Sequence, residues 1–292
     1  MQDFVIVGSE LTETALQTVS QTNTWLTNQP CFKQAGLARY VGVAANLAQQ
    51  KQTQQAAAAL QLDTACLPTG LSWQDIRLVV SDMDSTFITV ECIDELAALY
   101  GIKDQVAAIT EQAMQGQLDF AQALRARVAL LKGLPESALM TVYTDKIRLM
   151  AGAETLLKTC SDYNIPFVLL SGGFTFFTGL LAEKYQLHAH HANQLVVENG
   201  QLTGELLGDI VDAEAKSRWL QHYQHSLGCL PEQVLAIGDG ANDIPMLKQA
   251  GLGVAFHAKP KVVEQADLHI QHGDLGDLVR LLLPVQPACQ WQ

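Results

Sequence analysis

Five short apolar runs constrain this chain more than any other feature: Ile76–Val80, Phe167–Leu170, Val234–Ile237, Leu252–Phe256 and Leu268–Ile270. They are compact and rich in β-branched residues, and helical spacing fills most of the intervals between them. Strands buried on both faces read this way, and strand–helix alternation leads to right-handed βαβ units in a doubly wound parallel sheet. The stretch from about 93 to 150 breaks the rhythm. It holds no convincing strand and places apolar residues at helical spacing, as in Val128, Leu131 and, after Pro135 at an expected first helical position, Leu139 and Val142. It is expected to be a helical insertion over the sheet. Asn199-Gly200 between two alternating apolar runs, Leu195 to Leu202, signals a β-hairpin.

Upstream, Phe4–Val7, Ala38–Val43 and Thr64–Leu67 read as short strands, with a helical stretch between the first two. Gln49–Leu62 lacks Gly and Pro and is expected to form a surface helix. Pro68-Thr69-Gly70 then interrupts the pattern just before the Ile76 run. Two units are therefore expected: a small αβ module over residues 1–70, and a larger α/β unit over 71–292 with the helical insertion at about 93–150.

Composition removes several classes. Hydrophobic residues make up 48% and charged residues 16%, so the chain buries a core. Lys plus Arg is 18 against 30 for Asp plus Glu, a net charge of −12 with no basic run, which argues against nucleic-acid binding. An anionic small molecule remains a suitable partner if cations or a metal are focused in one cleft. The segment Met1 to Gly8 lacks the basic start and length of a secretory signal, and no window reaches the length of a membrane span. Cys31, Cys66, Cys92, Cys160, Cys229 and Cys289 form no Cys-X-X-Cys pair. A reduced, cytoplasmic protein is expected, with no membrane association; homo-oligomerisation is left open.

Four motifs carry the chemistry. Asp82-Met83-Asp84-Ser85-Thr86 follows the Val79-Val80 strand; two carboxylates spaced by one residue share a side of an extended backbone, at the strand end where open α/β sheets bind ligands. Their repulsion calls for a proton or a divalent cation. Alone, the pair is equally an Asp-rich turn. Ser171-Gly172-Gly173-Phe174 offers a hydroxyl and unobstructed N–H groups suited to a phosphate oxygen, or else a Gly-rich turn from strand to helix. Lys216, in Val211-Asp212-Ala213-Glu214-Ala215-Lys216, would by itself be a solvated helix cation. Gly238-Asp239-Gly240-Ala241-Asn242-Asp243 ends the Val234 strand and can present hard oxygens to Mg2+; it lacks the order of a calcium loop. Their joint occurrence, in this order, is far more specific than any one alone.

Together these motifs resemble the haloacid dehalogenase-like phosphatase superfamily, and within it the phosphoserine phosphatase family. Glu91 follows the acidic motif, then Ile93-Asp94-Glu95-Leu96-Ala97. The cap pattern continues through Ile109-Thr110, Ala113-Met114-Gln115-Gly116, Leu118-Asp119-Phe120 and Leu124 to Leu131. The likeness spans about residues 75 to 275. It implies a Rossmann-like core with an inserted helical cap, Asp82 as nucleophile forming an aspartyl-phosphate, and Asp84 as general acid and base. It implies Mg2+ held by Asp82, the backbone carbonyl of Asp84, and Asp239. Ser171, Gly172, Gly173, Lys216 and Asn242 would bind the phosphoryl group, and Asp243 would orient Lys216 or the metal's waters. Glu91 and Arg127 would read the ammonium and carboxylate of O-phospho-L-serine, and Met114 and Phe120 would wall out water.

Two positions depart from the pattern, Ala123 in the cap and Ala151 at its exit. The first 70 residues fit less well, as a short ACT-like module without a clear ligand-binding glycine pattern. Two alternatives remain: phosphotransfer to another alcohol such as homoserine, and a non-catalytic phospho-switch. His188, His190 and His191 have no carboxylate partner at suitable spacing and are read as strand residues rather than a metal cluster.

Overall fold

The computed structural model describes residues 2–21, 23, 25–26, 32–34, 36–44 and 46–284. Cys31 and Cys289, and the chain beyond 284 that the sequence assigned to the larger unit, lie outside the described residues. Among the described residues, eleven strands form two sheets. The smaller comprises β1 (Gln2–Val7), β2 (Phe32–Gln34), β3 (Leu37–Val43) and β4 (Asp63–Pro68), in the order β2-β3-β1-β4. All its pairings are antiparallel. Two helices, Glu13–Gln21 and Leu47–Ala58, complete a βαββαβ module.

The larger sheet comprises β5 (Leu78–Ser81), β6 (Phe167–Phe174), β7 (Ala189–Glu198), β8 (Gln201–Leu207), β9 (Val234–Gly238), β10 (Leu252–Phe256) and β11 (Leu268–Ile270). Its order is β11-β10-β9-β5-β6-β7-β8. Every pair is parallel except β7 with β8, which is the hairpin turned by Asn199-Gly200 at φ 50° and 75°. Strand β5, which leads into the acidic motif, lies at the centre, between β9 and β6, so the three motif-bearing loops leave the sheet side by side. No described helix is long and apolar enough to cross a membrane.

Period-two alternation explains how the module is seated. Phe4 and Ile6 point to the module's own helices, while Val5 and Val7 face the opposite way and join the large core with Leu37, Ala65, Leu67 and Trp73. Polar ties reinforce this face. Asp63 accepts backbone hydrogen bonds from Gln271, His272 and Gly273 at 2.8–3.0 Å. Arg39 pairs with Asp3 while donating to the carbonyls of Leu71 and Leu283.

Over the carboxyl edge sit four helices, Cys92–Leu99, Lys103–Met114, Phe120–Ala129 and Ser137–Asp145. Pro135 does not open a helix. It forms a bridge with Gln201, because Gly133 and Leu134 pair with Leu202 at the hairpin, and the helix starts two residues later at Ser137. The chain enters and leaves this cap through paired segments, Ile88 bridging Leu149, with Thr89 donating to Arg148 and Met150 donating to Phe87.

Candidate active site

Strand β5 ends at Ser81, but the Asp82 N–H still donates to the Ile237 carbonyl of β9 at 2.9 Å, and a turn follows directly. The Met83 carbonyl accepts from the N–H groups of Thr86, Phe87 and Ile88, with Ser85 at φ 56°, and both carboxylates face one cavity. Oδ1 of Asp82 is fixed by the N–H of Met83 at 2.7 Å. Lys216 arrives on helix Ala213–Ser226, whose first turn is capped by the Asp212 side chain. Its Nζ lies 2.7 Å from Asp82 Oδ1 and 2.6 Å from Asp243 Oδ1, completely buried. Burial opposes the Lys216 charge, but Asp243 and Asp82 outweigh it and raise its pKa. Lys216 is a buried bridge, not a solvated helix cation.

Of the two readings left open for Ser171-Gly172-Gly173, the Gly-rich turn does not form: the residues remain in β6, and helix Thr175–Tyr185 follows directly. The ladder slips against β7 between Leu170 and Phe174. Asn193 compensates, donating to the carbonyls of Gly172 (2.8 Å) and Gly173 (3.3 Å) and accepting from Val211 N–H. Both glycines are needed for room. A Cβ at Gly173 would lie 2.8 Å from Asp84 Oδ2, and one at Gly172 would lie 2.9 Å from Phe120 Cζ in the cap. The Ser171 hydroxyl accepts from Gly173 N–H at 2.8 Å.

After β9, Gly240 N–H donates to Asp243 Oδ2, and Thr86 Oγ1 donates to Asp239 Oδ1 at 2.8 Å. Asp82, Asp239 and Asp243 each offer an oxygen within 4.8 Å of the others. Burial, then repulsion from Asp243, pushes Asp82 above the usual carboxylate range against the pull of Lys216; the same two causes push Asp239 up to about 6. Hard oxygens repelling one another, with one ammonium among them, suit a divalent cation. Asp84 is pushed up to about 8, mainly by burial and secondly by Glu91, although Cys92 N–H donates to it.

The cavity has a volume of about 620 Å³. The core lines it with Asp82, Asp84, Ser171, Gly172, Gly173, Asp239 and Asn242; the cap and its entry segment add Glu91, Met114, Phe120 and Arg127. Glu91 is oriented by the Ser85 hydroxyl at 2.8 Å. Burial lowers the pKa of Arg127, opposed by Asp94, Glu91 and Asp84. Met114, 65% exposed, stands at the rim rather than sealing the site. Lys216 and Asp243 stand behind the lining.

A family profile described as haloacid dehalogenase-like hydrolase matches residues 79–248. Over 223 residues the chain is 46% identical to the phosphoserine phosphatase of Haemophilus influenzae, covering 76% of this chain and 71% of the relative. The chain belongs to the phosphoserine phosphatase family of haloacid dehalogenase-like hydrolases. A probable phosphoserine phosphatase from Vibrio cholerae, solved without ligand, superposes with a TM-score of 0.82 at 35% identity, covering 96% of this chain and 86% of that one. A substrate-bound phosphoserine phosphatase complex superposes with a TM-score of 0.67 at 38% identity, covering 71% and 98%.

Of the three histidines read as strand residues, His190 and His191 lie in β7 and His188 lies just before it: His190 Nδ1 pairs with Thr178, and His191 bonds Tyr223 and stacks on Trp219 at 3.5 Å. Sequence reasoning missed Thr86 as the partner of Asp239, Asn193 as the brace of the Ser171 segment, and Asp94 and Lys259 in the cavity wall. Lys259 alone had a readable signal, since it follows a strand adjacent to β9 at the ligand-facing edge.

Proposed function

We propose that this protein hydrolyses O-phospho-L-serine to L-serine and phosphate with Mg2+, the last step of serine biosynthesis, through an aspartyl-phosphate on Asp82. The observation that carries the reading is one cavity in which an Asp82 anchored by Lys216 faces the same space as Asp84, whose pKa is pushed up by burial and by Glu91. Asp82 Oδ attacks phosphorus and the bond to the serine oxygen breaks, while Asp84 donates its proton to that leaving oxygen. Water then attacks the phosphorus, giving a proton back to Asp84, and the bond to Asp82 breaks. The Ser171 hydroxyl, Gly172 N–H, Asn242 and the Lys216 charge hold the phosphoryl oxygens.

Asp82, Asp239 and the Asp84 backbone carbonyl would hold Mg2+. Asp243, whose oxygens are engaged by Lys216 and Gly240, supports Lys216 from behind. Bound there, the ion would neutralise charge between carboxylates and phosphate. In the cap, Glu91 fits the substrate ammonium and the Arg127 fork fits its carboxylate, with Phe120 limiting water and Met114 bordering the rim. The unpaired thiols of Cys66, Cys92, Cys160 and Cys229 support a cytoplasmic setting. Purified protein with Mg2+ should release phosphate from O-phospho-L-serine far faster than from phosphothreonine or an aryl phosphate, and Asp82→Asn should not. Equal rates on unrelated monoesters would refute the specificity.

A further inference from the structure

We infer that Lys259 is a positioning residue for the anionic substrate, a cation in the cavity wall that draws a phosphate monoester past a ring of carboxylates. The inference rests on the function proposed above. Asp82, Asp84, Glu91, Asp94 and Asp239 all line the cavity, in a chain of net charge −12. With Asp84 pushed towards its protonated form and the proposed Mg2+ offsetting Asp82 and Asp239, Glu91 and Asp94 still repel a doubly charged phosphomonoester unless a cation acts on it early. Lys216 cannot do so, because it is buried and committed to Asp82 and Asp243. Arg127 stands on the cap helix Phe120–Ala129, with its charge already facing Asp94, Glu91 and Asp84. Lys259 is the remaining Lys or Arg of the lining; it is exposed and, among the described residues, forms no ion pair.

The fold fixes where this cation stands. Strand β10 runs parallel to β9 with Val254 opposite Ile237 and Ala255 opposite Gly238, so the chain after Phe256 emerges beside the Asp239–Asp243 loop. The backbone is pinned on both sides of Lys259. Buried Ala258 accepts from the Gln271 side chain at 3.1 Å, and the Lys259 carbonyl accepts from Val262 and Val263 N–H in the turn begun by Pro260. Only the long side chain is free, and its ammonium can follow an incoming phosphate without moving the wall. A hydrated point charge on a flexible stem attracts without imposing transition-state geometry. Its effect therefore falls on encounter and KM, not on kcat.

The test compares Lys259→Gln, Lys259→Glu and Lys259→Arg in O-phospho-L-serine hydrolysis at low and physiological ionic strength. Binding of inorganic phosphate is measured in parallel by calorimetry, with and without Mg2+. The Gln variant should raise KM about three- to tenfold and the Glu variant further, with kcat within about twofold, with Arg close to the parent and with a shallower salt dependence in Gln. Phosphate affinity should fall in the same order. Unchanged KM and unchanged phosphate affinity in Lys259→Glu would overturn the inference, as would a loss of kcat that Arg fails to restore. A parent protein inert towards O-phospho-L-serine would instead sink the functional reading, and phosphate affinity would then decide the role of Lys259 by itself.

Discussion

Replacing Lys216 by Met tests whether the buried ammonium holds the site together or merely fills it. Its Nζ lies 2.7 Å from Asp82 and 2.6 Å from Asp243, and the lysine and Asp243 side chains are fully buried. Met matches the stem's length, so packing is largely preserved while the charge is lost. Two carboxylates then remain facing each other in a low-dielectric site, and breaking a buried pair by removing one partner costs about 3–5 kcal/mol. The carboxylates can escape part of that cost by taking up a proton. A second substitution, Asp243→Asn, removes one of the stranded charges and should recover much of the loss. Urea unfolding in chelator at neutral pH gives all four corners of the cycle, with a coupling of about 1–3 kcal/mol expected between the two sites. A Lys216→Met loss below about 1 kcal/mol, or strict additivity with Asp243→Asn, would show that the bridge is not what stabilises the three loops.

Other substitutions test the contacts around it. Gly172→Ala would place a Cβ 2.9 Å from Phe120 Cζ; overpacking of about 1–3 kcal/mol should raise KM by holding the cap off the core, and Phe120→Leu added to it should restore KM. Asp63→Ala strands three backbone donors at residues 271–273, so unfolding free energy should fall by about 2–4 kcal/mol in urea titration, and a fall under about 1 would deny the tie between module and core. Asp239 has a folded pKa of about 6, above its unfolded value near 4, so its contribution costs stability progressively as pH rises from about 4 to about 6. A divalent cation relieves that cost only where the carboxylates are ionised. Chelation should therefore lower Tm at about pH 7.5 and leave it unchanged at about pH 4.5, and an equal drop at both would place the ion elsewhere.

Legibility from the sequence followed the range over which each feature is determined. The strands of the large sheet were readable because each is a local apolar run, and the hairpin because Asn199-Gly200 adopts positive φ at both positions. The acidic pair was legible as two carboxylates just past an apolar run, whereas the turn that the Met83 carbonyl closes with Thr86, Phe87 and Ile88 was not. For the Ser171 segment a phosphate-suited strand end and a Gly-rich turn both stayed open, because the residue that keeps it extended, Asn193, lies some twenty positions away and acts through two side-chain hydrogen bonds. Pro135, read as a helix start, is likewise claimed by a bridge to Gln201 that no local rule contains.

The cap residues mark the limit of local reading. Glu91 precedes the first cap helix and Arg127 lies near the end of the third, and nothing in their separate neighbourhoods sets them around a common cavity. Their placement follows from two hinge segments paired through Ile88 and Leu149 and from Phe120 coming down over a glycine. Each of these joins residues far apart in the chain, so resemblance located them where periodicity could not. The same argument runs in reverse for Lys259. Topology alone puts the end of β10 beside the end of β9, so a cation three residues beyond Phe256 borders the site whatever its immediate sequence signals. A strand-end cation next to an acidic loop is therefore a feature to be sought from sheet order, which motif spacing does not encode.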